Sequence, residues 1–103
     1  FDPATNQWTP LTPMPVANSD MGAAYLGGEL ITFGGENGLT VSGTTRAYNL
    51  ASRTWSTLPN MAQARHGMGV AVIGNTIYAI DGASQPLHTG STRTLQLLRF
   101  TNK

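Results

Sequence analysis

The side chains with useful chemistry are few, and they lie in or beside glycine-rich loops. The candidates for binding are Glu36, Asn37, Arg65, His66, Gln85 and His88, with Asp20 and Asp81 close by in sequence. His66 could act as a general base near neutral pH. Metal ligation would need clustered His, Asp, Glu or Cys, but the two histidines are 22 residues apart and the chain has no cysteine. We therefore predict no metal site, no cofactor and no catalytic residue.

Two glycine-rich stretches resemble nucleotide-binding loops only in part. The stretch GGENG, residues 34 to 38, lacks the Lys-Ser/Thr of a phosphate-binding loop and does not open a helix. The stretch GMGVAV begins like a dinucleotide fingerprint, but Val72 occupies the position of its third glycine. We interpret the double glycine as structural, because glycine permits positive φ and close backbone approach where a strand ends.

Composition narrows the possible partners. The 103 residues carry six Lys+Arg against five Asp+Glu without charge runs, so neither nucleic acid nor an anionic membrane is an expected partner. No apolar run approaches the roughly 20 residues needed to span a bilayer, and the first residues do not resemble a signal peptide. We expect a soluble protein, and its compartment stays open. The first residue is Phe1 rather than Met, which leaves room for an upstream segment.

The elements that would position these side chains follow from an internal repeat. A shift of 47 residues without a gap pairs Trp8 with Trp55, Met14 with Met61, Gly22 with Gly69, Gly35 with Gly82 and Arg46 with Arg93. Each unit reads as short strands, and the first two strands of a unit are apolar at consecutive positions. Such strands are buried on both faces, as in the stacked sheets of a β-propeller. Recurrence indicates that Arg46 and Arg93 are framework residues of the third strands.

The repeat divides the chain into three parts. Residues 21–58 are predicted to form a complete four-stranded blade, and residues 59–103 three strands of a further blade. Residues 1–20 are predicted to supply the tail of a third strand, a fourth strand and the linker of another blade. The longer connections, which share one face of the sheets, are residues 12–20, 36–44, 59–65 and 83–91.

On these residues the chain resembles two kelch repeats. The resemblance rests on the double glycine, on Tyr48 and Trp55 seven positions apart, on MAQARHG before the next first strand, and on a period near 50. The motif positions are Gly34, Gly35, Gly82, Tyr48, Trp8 and Trp55. The second unit departs from the motif at Asp81, and the first has Asn18 where the second has Arg65. The resemblance implies an all-β, kelch-type β-propeller, with two four-stranded antiparallel blades in a six- or seven-bladed ring.

The resemblance implies a function less firmly than a fold, because kelch propellers host many functions. We favour a non-enzymatic interaction module or scaffold that binds a protein partner through the loops between strands two and three and between blades. The alternative is part of a kelch-fold enzyme acting on a sugar, such as a sialic-acid mutarotase-like protein. The copper chemistry of galactose-oxidase-like kelch enzymes needs a Cys-linked Tyr, and this sequence has no cysteine. Arg65 is expected to make structural hydrogen bonds or to line the central channel.

Two blades alone would leave apolar sheet faces and strand edges uncovered. We therefore predict that further blades are supplied either by identical chains or by the rest of a longer chain. The favoured homo-oligomer is a cyclic one of three chains, which gives six blades.

Overall fold

The fold consists of two antiparallel sheets. The computed structural model describes residues 1–87 and 89–101, so the candidate His88 lies outside the described residues. The strands are β1 Gly22–Leu26, β2 Glu29–Phe33, β3 Thr45–Asn49, β4 Thr54–Leu58, β5 Gly69–Ile73, β6 Thr76–Ile80 and β7 Leu95–Arg99. The first sheet has the order β1-β2-β3-β4, and the second has the order β5-β6-β7. The predicted all-β architecture is confirmed. None of the described residues forms an apolar helix of the length that crossing a lipid bilayer demands.

Local sequence explains the tight hairpins. Leu26 pairs with Glu29 across a two-residue turn, in which Gly27 and Gly28 have φ of 60° and 80°. Positive φ at both central residues defines the turn that matches the twist of paired strands, and glycine adopts it without steric cost. At the turn from β3 to β4, the Asn49 carboxamide oxygen accepts hydrogen bonds from the Ala51 and Ser52 N–H groups.

The first eight residues form a hairpin that copies the turn from β3 to β4. Phe1 and Trp8 have ring centroids 5.4 Å apart, and Tyr48 and Trp55 have theirs 5.0 Å apart. The N-terminal hairpin is closed by one bridge, from Asp2 to Gln7, and Trp8 is 82% exposed. The internal repeat therefore includes this hairpin, because both the turn and the pair of packed aromatic rings recur. Its membership of another blade stays a prediction.

The gapless repeat fails at the third strand of the second sheet. Thr32 pairs with Arg46 in the first sheet, and Ala79, which lies 47 positions after Thr32, pairs with Gln96. Gln96 lies 50 positions after Arg46, so the loop between β6 and β7 is three residues longer than its counterpart. The pairing of Arg46 with Arg93 was wrong, because Arg93 precedes β7 and is exposed.

The two loops are nevertheless closed by the same backbone hydrogen bonds. In the first sheet the Ser42 N–H donates to Gly35 O at 2.8 Å, and in the second the Thr92 N–H donates to Gly82 O at 2.8 Å. The extra residues are therefore confined to the loop beyond these bonds.

The core lies between the two sheets, where β1 contacts β5. Its buried side chains are Ala24, Ile31, Phe33, Ala47, Ile77 and Ala79. The prediction that the first two strands are buried on both faces was wrong for β1, which alternates, and for β5, which is mostly exposed. The reason is that each sheet has only one neighbouring sheet in the described part of the chain. On the outer faces, Tyr25 is 61% exposed and Ile73 is 66% exposed.

The double glycine lies at the junction of the sheets. Gly34 and Gly35 have φ of 70° and 106°, and the Gly35 N–H donates to Arg65 O at 2.9 Å. A Cβ on Gly34 would lie 2.3 Å from Arg65 O. Positive φ and close backbone approach both require glycine here, as the sequence predicts.

Candidate functional site

The candidate residues lie where the long loops meet the segments that precede β1 and β5. Ser19 forms a bridge with Glu36, and His66 forms the equivalent bridge with Ala83. These bridges anchor the start of each loop to the connecting segment of the same blade. As a result, Glu36 from one loop and His66 from the next connection are brought together.

His66 is the centre of this cluster and is only 4% exposed. Its Nδ1 lies 2.8 Å from Asp20 Oδ2, and its Nε2 lies 2.7 Å from Gln85 O. A carboxylate and a carbonyl oxygen can only accept hydrogen bonds, so both ring nitrogens donate and the ring is an imidazolium. The hydrogen bond to Asp20 is the main cause that raises the pKa of His66. Charged and fully paired in this way, His66 is not available as a general base.

Glu36 ties the loop of the first blade to that of the second. Its Oε1 lies 3.8 Å from His66 Nδ1, and its Oε2 accepts a hydrogen bond of 2.8 Å from the Leu87 N–H. Gln85 takes part through its backbone carbonyl, while its side-chain oxygen accepts from Thr89 Oγ1. Four separate segments therefore meet at this cluster.

Asn37 lies outside the cluster and shapes its own loop. Its side-chain oxygen accepts hydrogen bonds from the Leu39 and Thr40 N–H groups. Leu39, at the tip of this loop, is 85% exposed.

Arg65 has no exposed surface, and it points into the second sheet. Its guanidinium donates to Asp81 O at 2.6 Å, to Thr94 O at 3.0 Å and to Gln96 Oε1 at 2.7 Å. Burial lowers the pKa of Arg65, and the charge of Asp81 acts in the opposite direction. Arg65 therefore joins β6 to β7 as a framework residue.

Comparison with known proteins finds a similarity over the first sheet. A family model described as the Kelch motif matches residues 17–62, which include the first sheet and the segments that flank it. Residues 17–62 are therefore similar to a kelch motif. A search of curated proteins found no match. Kelch repeats generally mediate protein–protein interactions, and the two antiparallel sheets are consistent with kelch blades.

Between the two sheets' loops, three groups could hold a cation. Asp20, Glu36 and His66 each offer one ligand atom, and these atoms all lie within 4.8 Å of one another. A cation could take this place only if His66 gave up its Nδ1 proton, because that proton is donated to Asp20. The spacing of candidates along the sequence did not reveal this cluster, since Asp20 and His66 are 46 residues apart.

The His66 cluster predicts that stability falls as pH rises. Because the folded pKa lies above the usual 6.5, the stabilisation is complete below pH 6.5 and is lost as pH rises through the folded value. For one proton the slope is at most about 1.4 kcal/mol per pH unit. Urea unfolding at a series of pH values from below pH 6.5 upwards should show that the free energy of unfolding of the wild-type chain falls as pH rises. The same free energy should depend less on pH in Asp20→Asn. An Asp20→Asn profile as steep as the wild type would contradict the assignment.

Proposed function

We propose that this chain is an interaction module that binds a protein partner through its longer loops. The observation that supports this is the hydrogen bond from the Leu87 N–H to Glu36 Oε2, because it joins the loops of two blades into one surface. Loops that a rigid sheet framework holds in place commonly carry binding function.

Apolar side chains at the tips of these loops support the same proposal. Leu39 is 85% exposed, Leu87 is 60% exposed, and Val16 on the connecting segment is 55% exposed. Exposed apolar side chains that form one patch rimmed by polar residues mark protein interaction sites.

The enzymatic alternative, a kelch-fold enzyme acting on a sugar, has less support. Such an enzyme would need a free acid or base in a pocket of converging polar groups. His66, the strongest candidate for a base, has both ring nitrogens engaged. The interaction module is therefore the preferred function.

The loop surface can be tested with a pair of variants. We expect the double variant Leu39→Asn and Leu87→Asn to lose most of the proteins that the wild-type chain retains from a lysate of its source cells, measured by quantitative mass spectrometry. Asparagine is chosen because Leu87 has φ of 66°, a conformation that asparagine tolerates.

The matched control is Leu50→Asn, which removes another exposed leucine, at the turn from β3 to β4. The control should retain the same proteins as the wild type. If both variants retain them equally, the loop surface is not the binding site.

We also propose that further blades cover the apolar parts of the outer sheet faces and that residues 1–20 belong to a preceding blade. Ile73, Leu95 and Leu97 form an exposed apolar face on the second sheet, and Trp8 is exposed beside the N-terminal hairpin. The missing blades would come either from identical chains or from the rest of a longer chain. Multi-angle light scattering should give a mass above that of one chain if identical chains supply them. A monomer that remains folded without further blades at high concentration would contradict the proposal.

A further inference from the structure

Arg46 lines a cleft on the first blade. The cleft, of about 260 Å³, lies between the segment before β1 and the loop from β2 to β3. Its lining combines the apolar Val16 and Ala17 with polar residues that include Asn18, Glu36, Thr40, Ser42, Thr44 and Arg46. Arg46 is half-buried, and within residues 1–87 and 89–101 its guanidinium has no hydrogen-bond or ion-pair partner.

The second blade shows what occupies the same place when the cleft is filled. Arg65 lies 47 positions after Asn18, and Gln96 occupies the register position of Arg46. There the Arg65 guanidinium donates to Gln96 Oε1 and to Asp81 O.

In the first blade, the shorter Asn18 side chain donates to Gly34 O at 2.7 Å and accepts from the Ser19 N–H at 3.0 Å. The arginine of the first blade lies on β3 instead of in the connecting segment, and none of the acceptors in residues 1–87 and 89–101 is hydrogen-bonded to it. The first blade thus has an open cleft with a free guanidinium where the second blade has a paired one.

The charge of the cleft indicates what it binds. A half-buried guanidinium gains most from a carboxylate, whose two oxygens match its fork of N–H donors. The hydroxyls of Ser42 and Thr44 can donate further hydrogen bonds to the same group. Glu36 also lines the cleft, but its charge is offset by the His66 imidazolium and by the Leu87 N–H.

We propose that the Arg46 cleft binds a carboxylate from an acidic segment of a protein partner. This inference rests on the proposed interaction function and names the chemistry of the segment that is recognised. The carboxylate could belong to an Asp or Glu side chain or to the C-terminus of the partner.

The test uses three fluorescein-labelled peptides in fluorescence anisotropy titrations at low ionic strength. The first has two Glu residues between glycines and an amidated C-terminus, the second has Gln in place of Glu, and the third has Gln and a free C-terminal carboxylate. We expect the Gln peptide with the amidated C-terminus to bind at least about tenfold more weakly than the better of the other two. Which of those two binds more tightly identifies the source of the carboxylate.

Variants then assign the binding to the cleft. Arg46→Gln installs the residue of the second blade, so it should fold, and it should weaken binding of the acidic peptide at least about tenfold. Arg93→Gln removes an exposed arginine outside the strands and should leave binding unchanged. The double variant Asn18→Arg with Arg46→Gln recreates the pair of the second blade, closes the cleft and should also lose the peptide.

The inference is overturned if the acidic and Gln peptides bind equally, or if the Arg46→Gln and Arg93→Gln chains bind the acidic peptide with the same affinity. These outcomes are separable from failure of the proposed function, because that function is tested with leucine variants. If the chain retains partners through Leu39 and Leu87 but does not bind acidic peptides, only the proposed role of Arg46 is refuted, and the interaction function stands.

Discussion

Replacement of Arg65 by methionine is expected to lower the free energy of unfolding by at least about 3 kcal/mol. The substitution keeps an unbranched apolar stem but leaves the carbonyl oxygens of Asp81 and Thr94 and the amide oxygen of Gln96 without this donor. Each is a hydrogen bond to a charged group, worth roughly 1.5–3 kcal/mol. Urea unfolding followed by tryptophan fluorescence would measure the change.

Arg93→Met is the matched control for this prediction. Arg93 is exposed and precedes β7, so its loss should change the unfolding free energy by no more than about 0.5 kcal/mol. Arg65→Lys should rank between wild type and Arg65→Met, because lysine keeps the charge and loses the planar fork. Equal effects of the Arg65 and Arg93 substitutions to methionine would refute the framework role of Arg65.

The second large effect is expected for Gly34→Ala, at roughly 2–4 kcal/mol of lost stability. The residue has φ of 70°, and an added Cβ would lie 2.3 Å from Arg65 O and 2.7 Å from Met68 Cε. A backbone oxygen cannot move aside as a flexible side chain can, so the junction between the blades must shift. Thermal unfolding monitored by circular dichroism would measure the loss.

The equivalent position in the second blade provides the control. Asp81 has φ of 59° and carries a side chain there. Removing that side chain in Asp81→Gly should change stability by only about 1 kcal/mol or less. If Gly34→Ala were as mild as Asp81→Gly, close approach to Arg65 would not be the reason for glycine at this position.

Much of the fold could be predicted from the sequence, because the determinants are local. The strands follow from short apolar runs, the hairpins from residues such as Gly27 and Gly28, and the repeat from recurring aromatic positions. The double glycine was interpreted correctly, since both positive φ and close approach are needed where β2 ends. The family match over residues 17–62 agrees with the part of the chain where these signals are densest.

The third strand of the second blade was misaligned for a physical reason. Arg46 and Arg93 match by chance at the shift of 47, but strand register is set by backbone pairing and by which side chains face the core. The pairing partner of Ala79 is Gln96, so the longer loop absorbs three residues that a gapless comparison cannot see. The false counterpart of Arg46 is also the reason why the sequence predicts a framework role for Arg46.

The cluster around His66 could not be predicted from spacing. Asp20 and His66 are 46 residues apart, and Glu36 reaches them only because successive blades stack with their loops side by side. Such contacts depend on the packing of two sheets, which a pattern within one repeat does not describe.

The two loop-closing hydrogen bonds have a practical consequence for protein engineering. The bond from Ser42 to Gly35 and that from Thr92 to Gly82 enclose segments that differ by three residues, while the sheet on either side keeps the same pairing. Because of this hydrogen bond at the base of each loop, which we call the clamp, the loop can change in length without changing the strand pairing of the blade. Foreign peptides of varied length could be displayed above either clamp, and the chain would serve as a carrier for libraries of recognition loops.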